Sequence, residues 1–250
     1  MKKEGYNLLE NLEDYHWWHR ARKEIIIDAI INNIQNYNEK RLLDIGCGSG
    51  YFLSTISKYI PNSMGIESHE YSNKKYNNIK NCDIFNNGLE NNSFDIITAL
   101  DVIEHIENEN QFLNEIKRLL CNFHSGGGGK IVLTVPAYQW LFTYHHDVIN
   151  EHYRRYSLKR LKNLLLDNGF EIEKITYFNF FLFPPFMIVR LIHKIFNIKR
   201  VETERIGILN NILYKIFNLE KYILRKINLP FGSSVLAFCK LKGNAENEKS

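Results

Sequence analysis

Three groups of residues have types and spacings that could do chemistry. The first is Leu42-Leu43-Asp44-Ile45-Gly46-Cys47-Gly48-Ser49-Gly50. Its glycines let the chain turn sharply out of a strand and bring backbone close to a ligand. Dinucleotide sites use a glycine-rich turn too, but with the spacing G-x-G-x-x-G. Here the spacing is G-x-G-x-G, and Asp44 precedes the first glycine. A carboxylate there suits a cationic amino-acid ligand and would repel a pyrophosphate. The second group is Asp101-x-x-Glu104-His105, two carboxylates and an imidazole that would share one face of a helix, as hard-metal ligands could. The third is Tyr144-His145-His146-Asp147-Val148-Ile149-Asn150-Glu151-His152-Tyr153-Arg154-Arg155-Tyr156, dense in His, Arg and Tyr for a connecting loop. Histidine ionises near neutral pH and can take the proton of a reacting hydroxyl.

The elements that must position these groups follow from periodicity. Strand-like runs fall at 41–45, 63–67, 94–99 and 130–135, with helical patterns between them at 50–59, 72–78 and 111–120. Alternation at that spacing implies parallel strands with crossover helices, whose carboxyl ends form a binding crevice. A helix is expected over 15–36, opening on Tyr15, Trp17 and Trp18. Ser157 reads as the N-cap of a helix over 158–167, which Gly169 closes. Strands are expected at 171–177 and 233–241, with a mostly helical, apolar insertion over 178–231 between them.

In this order the motifs resemble the class I S-adenosylmethionine-dependent methyltransferases. Glu67 ends Gly65-Ile66-Glu67, where that family places an acid on the ribose hydroxyls. Asp83, in Cys82-Asp83-Ile84, matches the acid on the adenine amino group. Ser93-Phe94-Asp95-Ile96-Ile97 opens a fourth motif that continues as Leu100-Asp101-Val102-Ile103-Glu104-His105-Ile106, a string typical of the small-molecule branch. The likeness covers 41–177. It implies S-adenosyl-L-methionine as cofactor, held by Asp44, Gly46, Cys47, Gly48, Gly50, Glu67, Asp83, Ile84 and Leu100. It also implies a Rossmann-like α/β fold: a seven-stranded sheet, mostly parallel with the last strand antiparallel, helices on both faces, and a helical insertion before the last strand. Asp95 reads as structural, holding backbone near the sheet.

Tyr15-His16-Trp17-Trp18-His19-Arg20-Ala21-Arg22 and the stretch after Pro136 resemble a bacterial group of the family found beside envelope and glycan biosynthesis enzymes. In that group the opening segment folds over the cofactor pocket. The chain then reads as one domain over 1–250: a lid (1–40), a cofactor core (41–177), a helical cap (178–231), the last strand (232–242) and a polar tail (243–250). The expected reaction is O-methylation of a small or lipid- or glycan-linked metabolite. His105, His146 and His152 are the candidate bases, and Arg154, Arg155 and Tyr156 are candidates for gripping an anionic group on the acceptor. Asp101-x-x-Glu104-His105 also resembles the E-x-x-E-H metal site of some quinone O-methyltransferases and small-RNA methyltransferases, with Asp one carbon shorter than the first Glu. A metal-dependent RNA or quinone methyltransferase and a non-catalytic cofactor-binding regulator are therefore the alternatives, and no metal is assigned.

Bulk properties narrow the classes. Hydrophobic residues make up 44% and charged residues 24% of 250, a globular balance. The net charge of +4 is too mild to imply nucleic acid, yet residues 178–230 hold nine Lys/Arg against three Asp/Glu. Basic charge interleaved with aliphatic residues suggests peripheral contact with anionic lipid. Cys47, Cys82, Cys121 and Cys239 form no C-x-x-C pair. With no apolar run near the ~18 residues of a membrane span, a cytoplasmic location is expected, with contact at the inner membrane face. The oligomeric state stays open.

Overall fold

Strands buried on both faces set the architecture. The computed structural model describes residues 12–71, 74–121, 128–142, 147–148, 151–196 and 207–242. Among these, β1 (Arg41–Ile45), β2 (Asn62–Glu67), β3 (Ile79–Asn81), β4 (Ile96–Leu100), β5 (Lys130–Pro136), β6 (Phe170–Phe178) and β7 (Ser234–Leu241) form one sheet in the order β3-β2-β1-β4-β5-β7-β6. The first five strands pair in parallel, and β7 lies antiparallel between β5 and β6. That is the expected Rossmann-like sheet with its reversed last strand.

Because successive side chains on a strand point to opposite faces, each central strand feeds two cores. Leu43, Ile97, Leu133 and Ala237 pack with α3 (Glu109–Leu119) and α4 (Leu158–Asp167). Leu42, Ile96, Val132 and Leu236 pack on the other face, with α1 (Trp17–Asn33), α2 (Leu53–Ile56), α6 (Gly207–Asn218) and α7 (Glu220–Leu224). α1 supplies Ala21, Ile25, Ile26 and Ile30, its inward stripe, to that second core. α5 (Phe183–Ile195) starts with prolines in its first turn, where a missing N–H costs nothing.

Two expected helices are corrected. Over 50–59 only Leu53–Ile56 is regular α-helix. The described residues of 72–78 are not helical. There the Tyr76 hydroxyl and the Asn78 amide both donate to the Ser63 carbonyl, and Lys75 N–H donates to the Ser49 carbonyl. These bonds tie the segment to β2 and the glycine turn in place of its own helical ladder. No described helix is long and apolar enough to cross a membrane.

Candidate active site

The order of strands reverses beside β1 and β4, and the crevice at such a switch point is where α/β sheets bind ligands. β1 delivers Asp44 to it. Past Ile45 the chain leaves the strand, with Gly46 and Cys47 N–H both donating to the Ile66 carbonyl. Gly46, Gly48 and Gly50 all have positive φ, and at Gly46 and Gly50 the space is restrictive as well. A Cβ on Gly46 would stand 2.7 Å from Val102 Cγ2, and one on Gly50 2.7 Å from Tyr76 Cβ.

Asp44 is buried and accepts a 2.6 Å hydrogen bond from the Thr98 hydroxyl. Burial outweighs that bond and pushes its carboxyl up to about 7. Glu67, at the end of β2, accepts from the N–H groups of Gly48 (2.9 Å) and His69 (3.0 Å), so it braces the turn while facing it. The Ser68 hydroxyl adds a third bond, on Oε1, at 3.3 Å, and Oε2, with one donor, retains capacity for a ligand. Burial raises the Cys47 thiol far above its usual range, leaving it a neutral wall of the turn. Asp83 caps the short 3-10 turn Ile84–Asn86 by accepting from Phe85 N–H (2.7 Å), with Ile84 buried beneath it. Leu100 is half-buried at the end of β4. Asp95 accepts from the Arg41 backbone (2.9 Å), the structural role expected of it.

The N-terminal segment lies against this turn. Glu13, buried, accepts a 2.5 Å bond from the Ser49 hydroxyl, and Lys75 pairs with Asp14 at 2.6 Å. From α1, Arg22 reaches Asp101 (2.8 Å) and Thr134 (2.6 Å). Burial lowers the neighbouring His19 to about 3, so its imidazole stays neutral. Neither Glu13 nor Arg22 carried a sequence signal naming its partner.

β4 leads into the 3-10 turn Ile103–His105 and not into a helix, with Asp101 at φ 59° just before it. The expected grouping of Asp101, Glu104 and His105 on one helical face is thereby corrected: Asp101 is taken by Arg22 and Thr134. What the fold gathers instead is Glu104, His105 and His152. Glu104 is fully enclosed; burial, then the nearby Asp101, raises its carboxyl well above the usual range. Burial, then His152, lowers His105 to about 4, leaving a neutral ring. The His105 and His152 rings meet edge to face at 4.6 Å. His152 Nδ1 lies 2.9 Å from Asp147 Oδ1, and Asp147 also accepts from Arg155 Nε at 2.6 Å. Asp147 was visible in the loop but unassigned; only the fold shows that it orients His152.

The three expected acceptor-binding residues are placed differently from one another. Arg155 is buried on Asp147, and Tyr156 is buried with its hydroxyl on Glu109 (2.6 Å). Both are enclosed and brace the loop, which returns through them to pair with Ala137. Arg154 pairs with Glu109 at 3.1 Å and donates to the Glu107 carbonyl. His146 lies outside the described residues.

A ubiquinone biosynthesis O-methyltransferase of Rickettsia bellii is 27% identical over 140 residues, covering 45% of this chain and 57% of that protein. The chain thus spans little more than half the length of this curated relative. In fold it is similar to an S-adenosylmethionine-dependent methyltransferase of Thermotoga maritima, with TM-score 0.58, 17% identity, and coverage of 95% of this chain and 100% of the other. One from Archaeoglobus fulgidus gives TM-score 0.54, 18% identity, and coverage of 87% and 94%. The family model described as "Methyltransferase domain" matches residues 17–175, well over half the chain and all of the strands that build the glycine turn, and the chain belongs to that family.

Proposed function

We propose that the protein transfers a methyl group from S-adenosyl-L-methionine to an oxygen of a small or lipid- or glycan-linked metabolite. The cofactor's ammonium and ribose would meet Asp44, Glu67 and the backbone of Gly46, Cys47, Gly48 and Gly50, with Asp83, Ile84 and Leu100 around the adenine. Two buried carboxylates beside a positive-φ turn suit a cationic ligand, and Asp44 in particular gains from one. The family membership and the ubiquinone-pathway relative support the reaction class.

The observation that carries the choice of oxygen is the pair of imidazoles past β4. His105 is neutral, and His152 is held from behind by Asp147. In the transfer the acceptor oxygen forms a bond to the methyl carbon as the sulfur–carbon bond breaks, and the electron pair stays on sulfur. The hydroxyl proton must leave, and a neutral imidazole is suited to accept it. The sulfonium supplies the driving force, so the protein has chiefly to align the two partners and exclude water.

A lipid-linked acceptor is favoured by the cap. Ile195 is 74% and Ile208 85% exposed, with Ile188, Leu209 and Ile212 also outward, in a stretch whose sequence is strongly basic. Such a face suits peripheral contact with anionic headgroups at a cytoplasmic membrane surface. The test is incubation with methyl-labelled cofactor and fractionated extract of the native cell. Label in lipid, glycan or small metabolites is expected. Label confined to RNA would overturn the reading, and cofactor binding with no label in any fraction would favour a non-catalytic regulator.

A further inference from the structure

On the α1-facing side of the sheet, the inward stripe changes character toward the carboxyl ends of three neighbouring strands. Leu42, Ile96 and Val132 are aliphatic and packed in the core. Two residues further on, and therefore on the same face, stand Asp44, Thr98 and Thr134, all buried. A threonine there must find an acceptor for its hydroxyl inside the protein, a need that valine, of nearly the same shape, would not have. Thr98 finds it on Asp44. The two are register partners across the parallel pair of β1 and β4. The hydroxyl stands 2.6 Å from Asp44 Oδ1 but 3.4 Å from the Leu43 carbonyl. It has one proton to give, and the shorter contact takes it. Among the described residues this is the one hydrogen bond that the Asp44 side chain makes. Arg22 faces Asp44 from α1 without bonding to it, since Asp101 (2.8 Å) and Thr134 (2.6 Å) engage its guanidinium. Glu67, from β2, works against a charge on Asp44, and the Cys47 thiol of the turn stays neutral beside it.

We propose that Thr98 is a positioning residue for cofactor binding: its hydroxyl fixes the Asp44 carboxylate and favours its charged form, leaving Oδ2 for the cofactor's ammonium group. Two physical effects support the role. A hydrogen bond to the ionised acid offsets part of the burial that opposes ionisation, and here the Thr98 bond is the largest influence acting in that direction. A carboxylate already held in one orientation also spares the ligand the cost of ordering it. Arg22 acts on Asp44 only through space, so it cannot replace the hydroxyl's directionality. For the identity of the ligand the inference rests on the methyl-donor reading; the effect of Thr98 on Asp44 is measured without any ligand.

T98V and T98S are compared with the parent full chain. Carbon-13 NMR of labelled aspartate side chains follows the Asp44 carboxyl, assigned by the signal that D44N lacks. Loss of the hydroxyl in T98V should raise the titration midpoint by about one to two pH units, and T98S should restore it. With the parent's carboxyl at about 7, S-adenosylhomocysteine affinity in T98V should fall roughly 5- to 50-fold at pH 7. By pH 8.5 the carboxyl ionises again, and the deficit should shrink to about fourfold or less. Damage of a merely structural kind would lower affinity by the same factor at both pH values. An Asp44 midpoint in folded T98V equal to the parent's overturns the proposal, as does a loss of affinity that is flat with pH or that T98S fails to repair. Near-ultraviolet circular dichroism reports folding, and T98A carries the same comparison if the valine variant does not fold. A parent chain that ignores S-adenosylhomocysteine would instead sink the methyl-donor reading, and the NMR midpoints would still decide whether Thr98 governs Asp44.

Discussion

Asp44 should make the empty protein less stable as the pH rises, and replacing it should reverse that. Its carboxyl is enclosed, holds one bond from Thr98, and is pushed by burial from the ordinary 3.8 up to about 7. A folded value above the unfolded one means that folding favours the protonated form. The contribution is therefore fully present below pH 4 and is lost as the pH rises through 7. Between pH 5 and pH 8 the linkage for these two values amounts to about 2–3 kcal/mol of lost stability. Asp44→Asn keeps an acceptor for the Thr98 hydroxyl and removes the titration. Urea unfolding followed by tryptophan fluorescence at pH 5, 6, 7 and 8 should show the variant gaining on the parent by about that amount across the range. Glu13, Glu104 and Glu220, whose carboxyls are also raised, remain in both proteins and cancel in the difference. The same change should weaken S-adenosylhomocysteine binding roughly 10- to 150-fold, since a charge-assisted hydrogen bond is worth about 1.5–3 kcal/mol. A stability difference that stays flat with pH refutes the burial argument, and undiminished binding refutes the cofactor role.

Two further outcomes follow from other parts of the structure. Arg155→Met leaves the buried Asp147 without its 2.6 Å guanidinium partner. It should cost about 3–5 kcal/mol, as breaking a buried pair does, and a thermal midpoint within a degree of the parent would show that Asp147 is compensated elsewhere. The cap should make the chain sediment with vesicles containing phosphatidylglycerol at low salt, and less so at high salt as the Debye length shrinks; absence of sedimentation at low salt removes the membrane reading.

How far the sequence could be read depended on the distance over which each feature is held together. β1 and α4 stand where periodicity predicts them, 41–45 and 158–167, because their signals are local: a buried apolar run, and Ser157 accepting from Arg160 N–H. β3 has no such signal, because three residues at a sheet edge, with one partner strand, carry no alternation. The acids of the glycine turn are legible for the same local reason, Asp44 one residue from the end of β1 and Glu67 at the end of β2. The bonds that bring α1 and the segment before it onto the site cross long separations instead: Glu13 to Ser49 spans 36 positions and Arg22 to Thr134 spans 112. No spacing rule reaches that far.

Asp101-x-x-Glu104-His105 shows what that reach decides. Its spacing invites a shared helical face, and a helix there would have presented all three donors together. Left-handed backbone at Asp101 breaks the face, and Arg22, arriving from α1, takes that carboxylate as its partner. Glu104 is turned inward without a donor among the described residues, and the return of the loop through 151–156 brings His152 and its Asp147 brace to meet it. The chemistry at this edge of the sheet is therefore set by which distant element reaches each acid first. A change in α1 or in the 147–156 loop should alter it as surely as a change in Glu104 itself.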